Sequence, residues 1–535
     1  MNRREILKQL SVMPLVGTTM TPELFANQVS SVTEQAEDNI YRSLGVEPII
    51  NCRGTFTILG GSVERPEVIE AMKAASGYFA QYDELAYGIG QRLSELTKTE
   101  WGVVTAGCAA AMKHFTAACV TGGNPERLIR IPDLSGLDKT EVIIPRYSRN
   151  VYDHAVRNVG VKVITVETPE EMQKAINEHT AMIYVLACKN SQPGQPFSLE
   201  VIAEMAKPLN IPVLLDAAAE NLTIPPVHFA QGATVVAYSG GKAICGPQCA
   251  GLLLGKKDIL ISAWQASSPH HGPGRDNKVG KEEMLGMLAA VEAWISRDHE
   301  AEWERWLSWL DLISKRMLTI KGIETKVSMP EGLSNHAPVL HVQWDPDQLN
   351  ITGEEVAEEV ARNKIRIAIG SRTNDEGTSI NITPNQMQPG NAEVVAERLH
   401  GILSQKRAPL SDSLKPPKAD LHGHWAIEVS FPSSISQHKL FIEQDGNWIQ
   451  GMHQTDFELL SLIGMVEGDD IKLRSDYRIP GNSLVYLFSC KLENEKLTGS
   501  IFLGEYLTAT FTGSRIAYNK KRRKITIPGG PPLAT

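Results

Sequence analysis

From about residue 45 to 405 the chain alternates short apolar runs with longer helix-like stretches, the mark of an α/β domain with a largely parallel sheet. Trp101–Thr105, Val142–Pro145, Val161–Val166, Met182–Ala187, Pro212–Asp216, Val235–Tyr238 and Gly251–Leu254 read as strands. Glu67–Ala75, Ala109–Val120, Pro169–Glu178 and Leu199–Ala206 read as helices between them. A long helical stretch from Lys281 to Leu318, rich in Trp, Leu and Glu, leads into a smaller subdomain that ends with a helix over Ala392–Gln405. Lys406–Asp420, rich in Pro, Ser and Lys, reads as a linker. Beyond it the period changes to that of strands: His424–Phe431, Leu440–Gln444, Trp448–His453, Asp470–Arg474, Leu484–Leu492, Thr498–Leu503 and Leu507–Ile516. Asp445-Gly446-Asn447 and Glu493-Asn494-Glu495 suit hairpin turns, so this part is an antiparallel β barrel or sandwich, with Trp425, Trp448, Tyr486 and Phe488 in its core. The expected division is 1–40 signal and spacer, 41–300 large domain, 301–405 small subdomain, 406–420 linker and 421–535 β domain.

At 535 residues the chain exceeds what one hydrophobic core supports, in keeping with several domains. A net charge of −9 without a long basic block weighs against nucleic acid as the main partner. No stretch of 18 or more apolar residues is present, so no membrane-spanning helix is expected. The seven cysteines are odd in number and scattered, which points to reduced thiols. Cys245 and Cys249 form a C-x3-C pair with no second pair at metal-ligand spacing, and read as small buried residues. Asn2-Arg3-Arg4-Glu5-Ile6-Leu7-Lys8, followed by the apolar stretch from Leu10 to Val16, is similar to a twin-arginine export signal. That implies a periplasmic destination; the rival reading is a cytoplasmic protein with a basic tail.

Three local features carry chemistry. Lys242 follows an apolar strand in Ala237-Tyr238-Ser239-Gly240-Gly241-Lys242, where an amine can condense with an aldehyde cofactor and then shuttle a proton. Asp216 ends the strand Pro212–Asp216, so its carboxylate emerges at the edge of a parallel sheet where α/β ligands bind. An anion there suits the ring nitrogen of pyridoxal 5′-phosphate (PLP), which is the better electron sink when protonated. Thr105–Met112 runs from a strand through small residues into a helix, and so offers free N–H groups to a phosphate. Each has an ordinary alternative: a surface lysine, a helix N-cap for Ala217–Ala219, or any tight strand-turn-helix. Their order and spacing together carry the argument.

On these residues the chain resembles the selenocysteine synthase (L-seryl-tRNA(Sec) selenium transferase) group of the fold-type-I PLP enzymes, and within it the D-glucosaminate-6-phosphate ammonia-lyase branch. The segments are Tyr87–Arg92, Thr105–Met112, Glu141–Asn150 with Tyr152–Arg157, Leu214–Glu220, Ser239–Gln248 and Gly274–Glu283, within residues 45–405. The resemblance implies that Lys242 is the cofactor lysine and Asp216 the ring-nitrogen partner. It further implies that Gly107, Cys108 and Ser239 contact the cofactor phosphate and that His154 or Tyr152 stacks on the ring. Arg275 and Lys278 would form a substrate-anion site, with an exposed helix start as the rival explanation. Arg372 is the candidate for the substrate carboxylate, because a guanidinium grips it bidentately. The resemblance also implies a homodimer, with Tyr87–Arg92 crossing from one subunit to the other.

The expected reaction is elimination on a hydroxyamino acid or amino sugar acid, releasing a 2-oxo acid and ammonia. Selenium transfer to seryl-tRNA shares the first steps, but the N-terminal helical tRNA-binding region of that branch is replaced here by a signal-like tail. Racemisation or transamination would use the same Lys242 and Asp216. An exported binding protein on a retained enzyme fold is the non-catalytic alternative, and the presence of both residues speaks against it.

Overall fold

The computed structural model describes residues 39–374, 377–409 and 413–517; the twin-arginine-like string lies outside them. Three separate apolar cores organise the chain.

The first core surrounds a seven-stranded sheet: β1 Trp101–Thr105, β2 Glu141–Pro145, β3 Lys162–Val166, β4 Thr180–Leu186, β5 Val213–Asp216, β6 Val235–Ser239 and β7 Gly251–Gly255. Its strand order is β1-β7-β6-β5-β4-β2-β3. The pairs from β6 to β3 are parallel, while β7 runs antiparallel to both β1 and β6. The central strands are apolar at nearly every position because helices cover both faces. Helix α1, Gly107–Thr121, is buried along most of its length; Ala110, Ala111, Ala117 and Ala118 let it lie close to the sheet.

The stretch expected as one long helix is two: α2 Lys281–Ser296 and α3 His299–Met317. The break is at Arg297-Asp298, where Asp298 Oδ1 accepts the Ala301 N–H (2.9 Å) and caps a new helix in place of continuing the old one. Helix α3 leads into the second core, built on β8 Ile323–Ser328, β9 Val339–Trp344, β10 Gly370–Asn374 and β11 Gly377–Ile382, in the order β10-β11-β9-β8. Helix α4, Asn391–Leu403, covers this sheet. Ile49–Asn51 pairs in parallel with Arg366–Ala368, and Cys52 joins the same core, so the chain's early residues pack with this domain.

The third core fills a closed antiparallel barrel: β12 Gly423–Ser430, β13 Ile435–Asp445, β14 Trp448–Gln454, β15 Leu459–Glu467, β16 Asp470–Ile479, β17 Asn482–Glu493, β18 Lys496–Phe502 and β19 Thr508–Ile516, with β19 returning to β12. The sequence pattern missed β15. Asn494 and Glu495 both have positive φ in the β17–β18 turn, the geometry a tight hairpin requires. Trp425, Tyr486 and Phe488 face the core as expected, whereas Trp448 is 64% exposed. Strand alternation explains this correction: Ile449 takes the inward position, and its neighbour must point out. Near one end of the barrel three polar side chains are buried in a chain, with His438 Nδ1 3.0 Å from His453 Nε2 and His453 Nδ1 2.7 Å from Ser475 Oγ.

Candidate active site

The strand register decides which side chains meet. Thr105 of β1, Gly251 of β7 and Ser239 of β6 stand side by side across three strands, and Leu186 of β4 stands beside Asp216 of β5. All of them lie along one edge of the sheet. The turn after β1 is built for close approach: Gly107 has φ +85°, and a Cβ on Gly251 would sit 2.4 Å from the Gly107 carbonyl carbon and 2.6 Å from Cys108 N. Gly107, Cys108 and Ser239 are thereby brought to one place, at the start of α1 where backbone N–H groups are free.

Asp216 is 2% exposed. Its Oδ2 accepts the Tyr184 hydroxyl (2.8 Å); its Oδ1 accepts the Ala218 N–H (3.1 Å) and lies 3.7 Å from Cys108 Sγ. No helix follows, so the carboxylate caps a turn and is not the N-cap of a helix over Ala217–Ala219. Burial pushes its pKa up; Tyr184, the Ala218 N–H, Lys242 and Cys108 act in the opposite direction. Burial, with the nearby Asp216 charge, also pushes up the Cys108 thiol and the Tyr184 phenol. Among the described residues no ion pair neutralises Asp216. Lys242 is partly exposed, and its Nζ lies 5.9 Å from the centre of the Tyr152 ring.

Tyr184 and Asn150 were not singled out in the sequence. Asn150 Nδ2 donates to Tyr184 Oη (3.0 Å), so a chain runs from Asn150 through Tyr184 to Asp216. The available signal was register. Tyr184 sits two residues before the end of the strand beside Asp216, and therefore on the same face.

The structure does not draw the remaining candidates into this group. His154 Nε2 lies 3.2 Å from Asn482 Nδ2 of the barrel. Arg275 is exposed and donates to Ser268 Oγ (2.7 Å), while Lys278 is exposed beyond it. Arg372 is exposed on β10, an edge strand of the small sheet. Cys249 is exposed and Cys245 half-buried, contrary to the buried pair expected, because both lie in the irregular loop between β6 and β7. A cleft of about 500 Å³ opens beside that loop, between the two α/β domains, and includes Asn221, Ala243, Trp303, Trp306 and Asn335. Asn385 Oδ1, in the same wall, is buried with no hydrogen-bond partner among the described residues.

The aminotransferase class-V family matches residues 152–275, the span from Tyr152 through Asp216 and Lys242 to Arg275. The solved structure of a D-glucosaminate-6-phosphate ammonia-lyase superposes with a TM-score of 0.61 at 26% identity, covering 69% of this chain and 98% of that one. The fold is that of the fold-type-I PLP enzymes. Among curated relatives of this fold-type-I enzyme, the D-glucosaminate-6-phosphate ammonia lyase of Salmonella typhimurium is 29% identical over 374 residues, 68% of this chain and 98% of the relative. A 5'-C-glycyluridine monooxygenase-decarboxylase from Streptomyces is 28% identical over 375 residues, 68% of this chain and 92% of the relative. The L-seryl-tRNA(Sec) selenium transferase of Proteus mirabilis is 25% identical over 289 residues, 47% of this chain and 57% of the relative.

The residues present fit PLP on physical grounds. A carboxylate buried without a counter-ion is costly, and a pyridinium N–H placed against it supplies the missing charge. The close-packed turn at Gly107 leaves backbone N–H groups for the phosphate, and Lys242 offers the amine.

Proposed function

We propose that the protein eliminates a β-hydroxyl from a hydroxyamino acid or amino sugar acid, yielding a 2-oxo acid and ammonia. The observation that carries this reading is the buried, unneutralised Asp216 beside Lys242 in a chain that matches an ammonia lyase over nearly that enzyme's whole length. PLP, when bound, supplies an electron sink for the carbanion at the substrate Cα. Lys242 Nζ is the base that takes the Cα proton, and the β-hydroxyl takes up a proton and leaves as water. Asp216, oriented by Tyr184 and Ala218, holds the ring nitrogen's proton. Gly107, Cys108 and Ser239 hold the phosphate, and the Tyr152 or His154 ring covers the cofactor. Arg275, Lys278 and Arg372 are proposed to receive substrate anions once substrate is bound.

The indole faces of Trp303 and Trp306, with the amides of Asn335 and Asn385, make the interdomain cleft suited to a hydroxylated tail. We also propose a homodimer. Phe56, Ile58, Val63, Tyr78, Phe79 and Tyr87 are all exposed within one short stretch of chain, and an apolar surface of that kind suits a second copy. Export by the twin-arginine route rests on Arg3 and Arg4; a reporter fused behind residues 1–40 should reach the periplasm, and should stay inside when both arginines become lysine.

The deciding experiment supplies PLP and a panel of D- and L-hydroxyamino acids and amino sugar acids, and measures ammonia and 2-oxo acid together. Wild type should release both in equal amounts, and Lys242→Ala should release neither. Oxygen uptake with carbon dioxide release would favour chemistry of the kind named for the Streptomyces relative. A wild-type protein that stays colourless with PLP would end the reading.

A further inference from the structure

The barrel reaches the candidate active site through one hairpin, between β16 and β17. Arg149 Nη2 donates to the Pro480 carbonyl (3.0 Å), and Asn482 Nδ2 stands 3.2 Å from His154 Nε2. Gly481, at φ +82°, fits so closely that a Cβ there would lie 2.7 Å from Asp153 Oδ2 and 3.1 Å from the Asn150 carbonyl. Three consecutive barrel residues thus contact one six-residue segment of the large domain, 149–154.

That segment also leads inward. Asp153 is fully buried between two arginines, at 2.5 Å from Arg149 Nε and 2.8 Å from Arg157 Nε. Arg149 Nη1 additionally donates to Thr165 Oγ1 (2.7 Å) on β3. Asn150 orients Tyr184, which donates to Asp216, and the Tyr152 ring faces Lys242. A displacement of 149–154 would therefore reach the cofactor carboxylate and the face of the cofactor lysine together. Because Asn482 Nδ2 can only donate, it selects the His154 tautomer whose Nε2 is bare and whose proton is on Nδ1.

We propose that the Ile479–Asn482 hairpin is a positioning element for the cofactor site: by clamping 149–154 it holds Asn150, Tyr152 and His154 in place, which gives the barrel a role in catalysis although it carries no reacting group. This rests on the PLP reading for its consequence but not for its contacts. The test uses full-length protein and three variants. Gly481→Leu cannot keep the contact with Asp153. Asn482→Ala removes only the His154 contact. Gly446→Leu is the control, since Gly446 is also a positive-φ hairpin glycine (+56°) but has nothing within 4 Å.

Amide hydrogen exchange in protein stripped of cofactor should accelerate over 149–157 in Gly481→Leu and, less, in Asn482→Ala, while the β12 amides stay protected and Gly446→Leu matches wild type. With PLP, Gly481→Leu should bind about tenfold more weakly, roughly 1.4 kcal/mol, and the visible circular dichroism of the bound cofactor should change. Unchanged exchange over 149–157 in Gly481→Leu, or an equal effect from Gly446→Leu, would overturn the proposal. The exchange arm requires no cofactor and no substrate, so it stands or fails apart from the function proposed above.

Discussion

At the scale of single residues, Asp216 illustrates how a site can be costly to the fold that holds it. Burial raises its pKa, so without cofactor the folded state keeps a proton that the unfolded chain has already given up. Stability of the stripped protein should therefore fall as pH climbs through that raised value. Asp216→Asn should remove this slope, melt higher than wild type at pH 8 when stripped, and bind PLP at least about tenfold more weakly; thermal melts across pH and a cofactor titration check both halves. Lys242, Asp216 and the Gly107 turn were legible in the sequence because each ends or follows an apolar strand, and strand ends at a parallel sheet edge are where ligands bind. Tyr184 was not legible, because its role depends on the register between β4 and β5, which no local pattern states. The exposed Arg275, Lys278 and Arg372 show the reverse case. Residue type and resemblance suggest anion binding, and where these side chains stand is set by loops and by an edge strand, which no local pattern states.

At the scale of elements, the antiparallel β7 does more than complete the sheet. It lies between β1, which leads into the Gly107 turn, and β6, which leads into the Lys242 loop, and Gly251 is the position where they approach. Gly251→Ala would force the Gly107–Cys108 backbone away, since the contacts are with main chain that cannot rotate aside. The expected result is a loss of about 1–3 kcal/mol in denaturant unfolding, as for other overpacked sites, and a larger relative loss in PLP affinity. Most large-domain strands were legible to within a residue or two, since buried parallel strands are continuous apolar runs between turn residues. The failures have physical causes too. Leu459–Glu467 is an apolar run with an internal glycine, which does not distinguish strand from loop or helix. The helix break at Arg297-Asp298 was signalled only by a single capping aspartate.

At the scale of the whole molecule, the chain is organised around three cores. The exposed apolar residues between Phe56 and Tyr87 belong to none of them and argue for a partner surface. On the proposed homodimer, the unsubstituted protein should sediment as a dimer and Phe79→Glu should move towards monomer, and an unchanged profile would count against this surface. The barrel's class was legible from its hairpins and alternation; its closure into eight strands, and its contact with the large domain, depend on pairings far apart in sequence. Its buried His438–His453–Ser475 chain has one more consequence. Burial first, and then His438, depress His453 to about 3, and burial depresses His438 despite Asp456 and its carboxylate nearby. An unfolded chain protonates both near pH 6.5, so the barrel should lose stability steadily as pH falls from there towards about 3. In a mildly acidic compartment the C-terminal domain would then be held more loosely, and amide exchange of its strands should quicken as an acid titration proceeds.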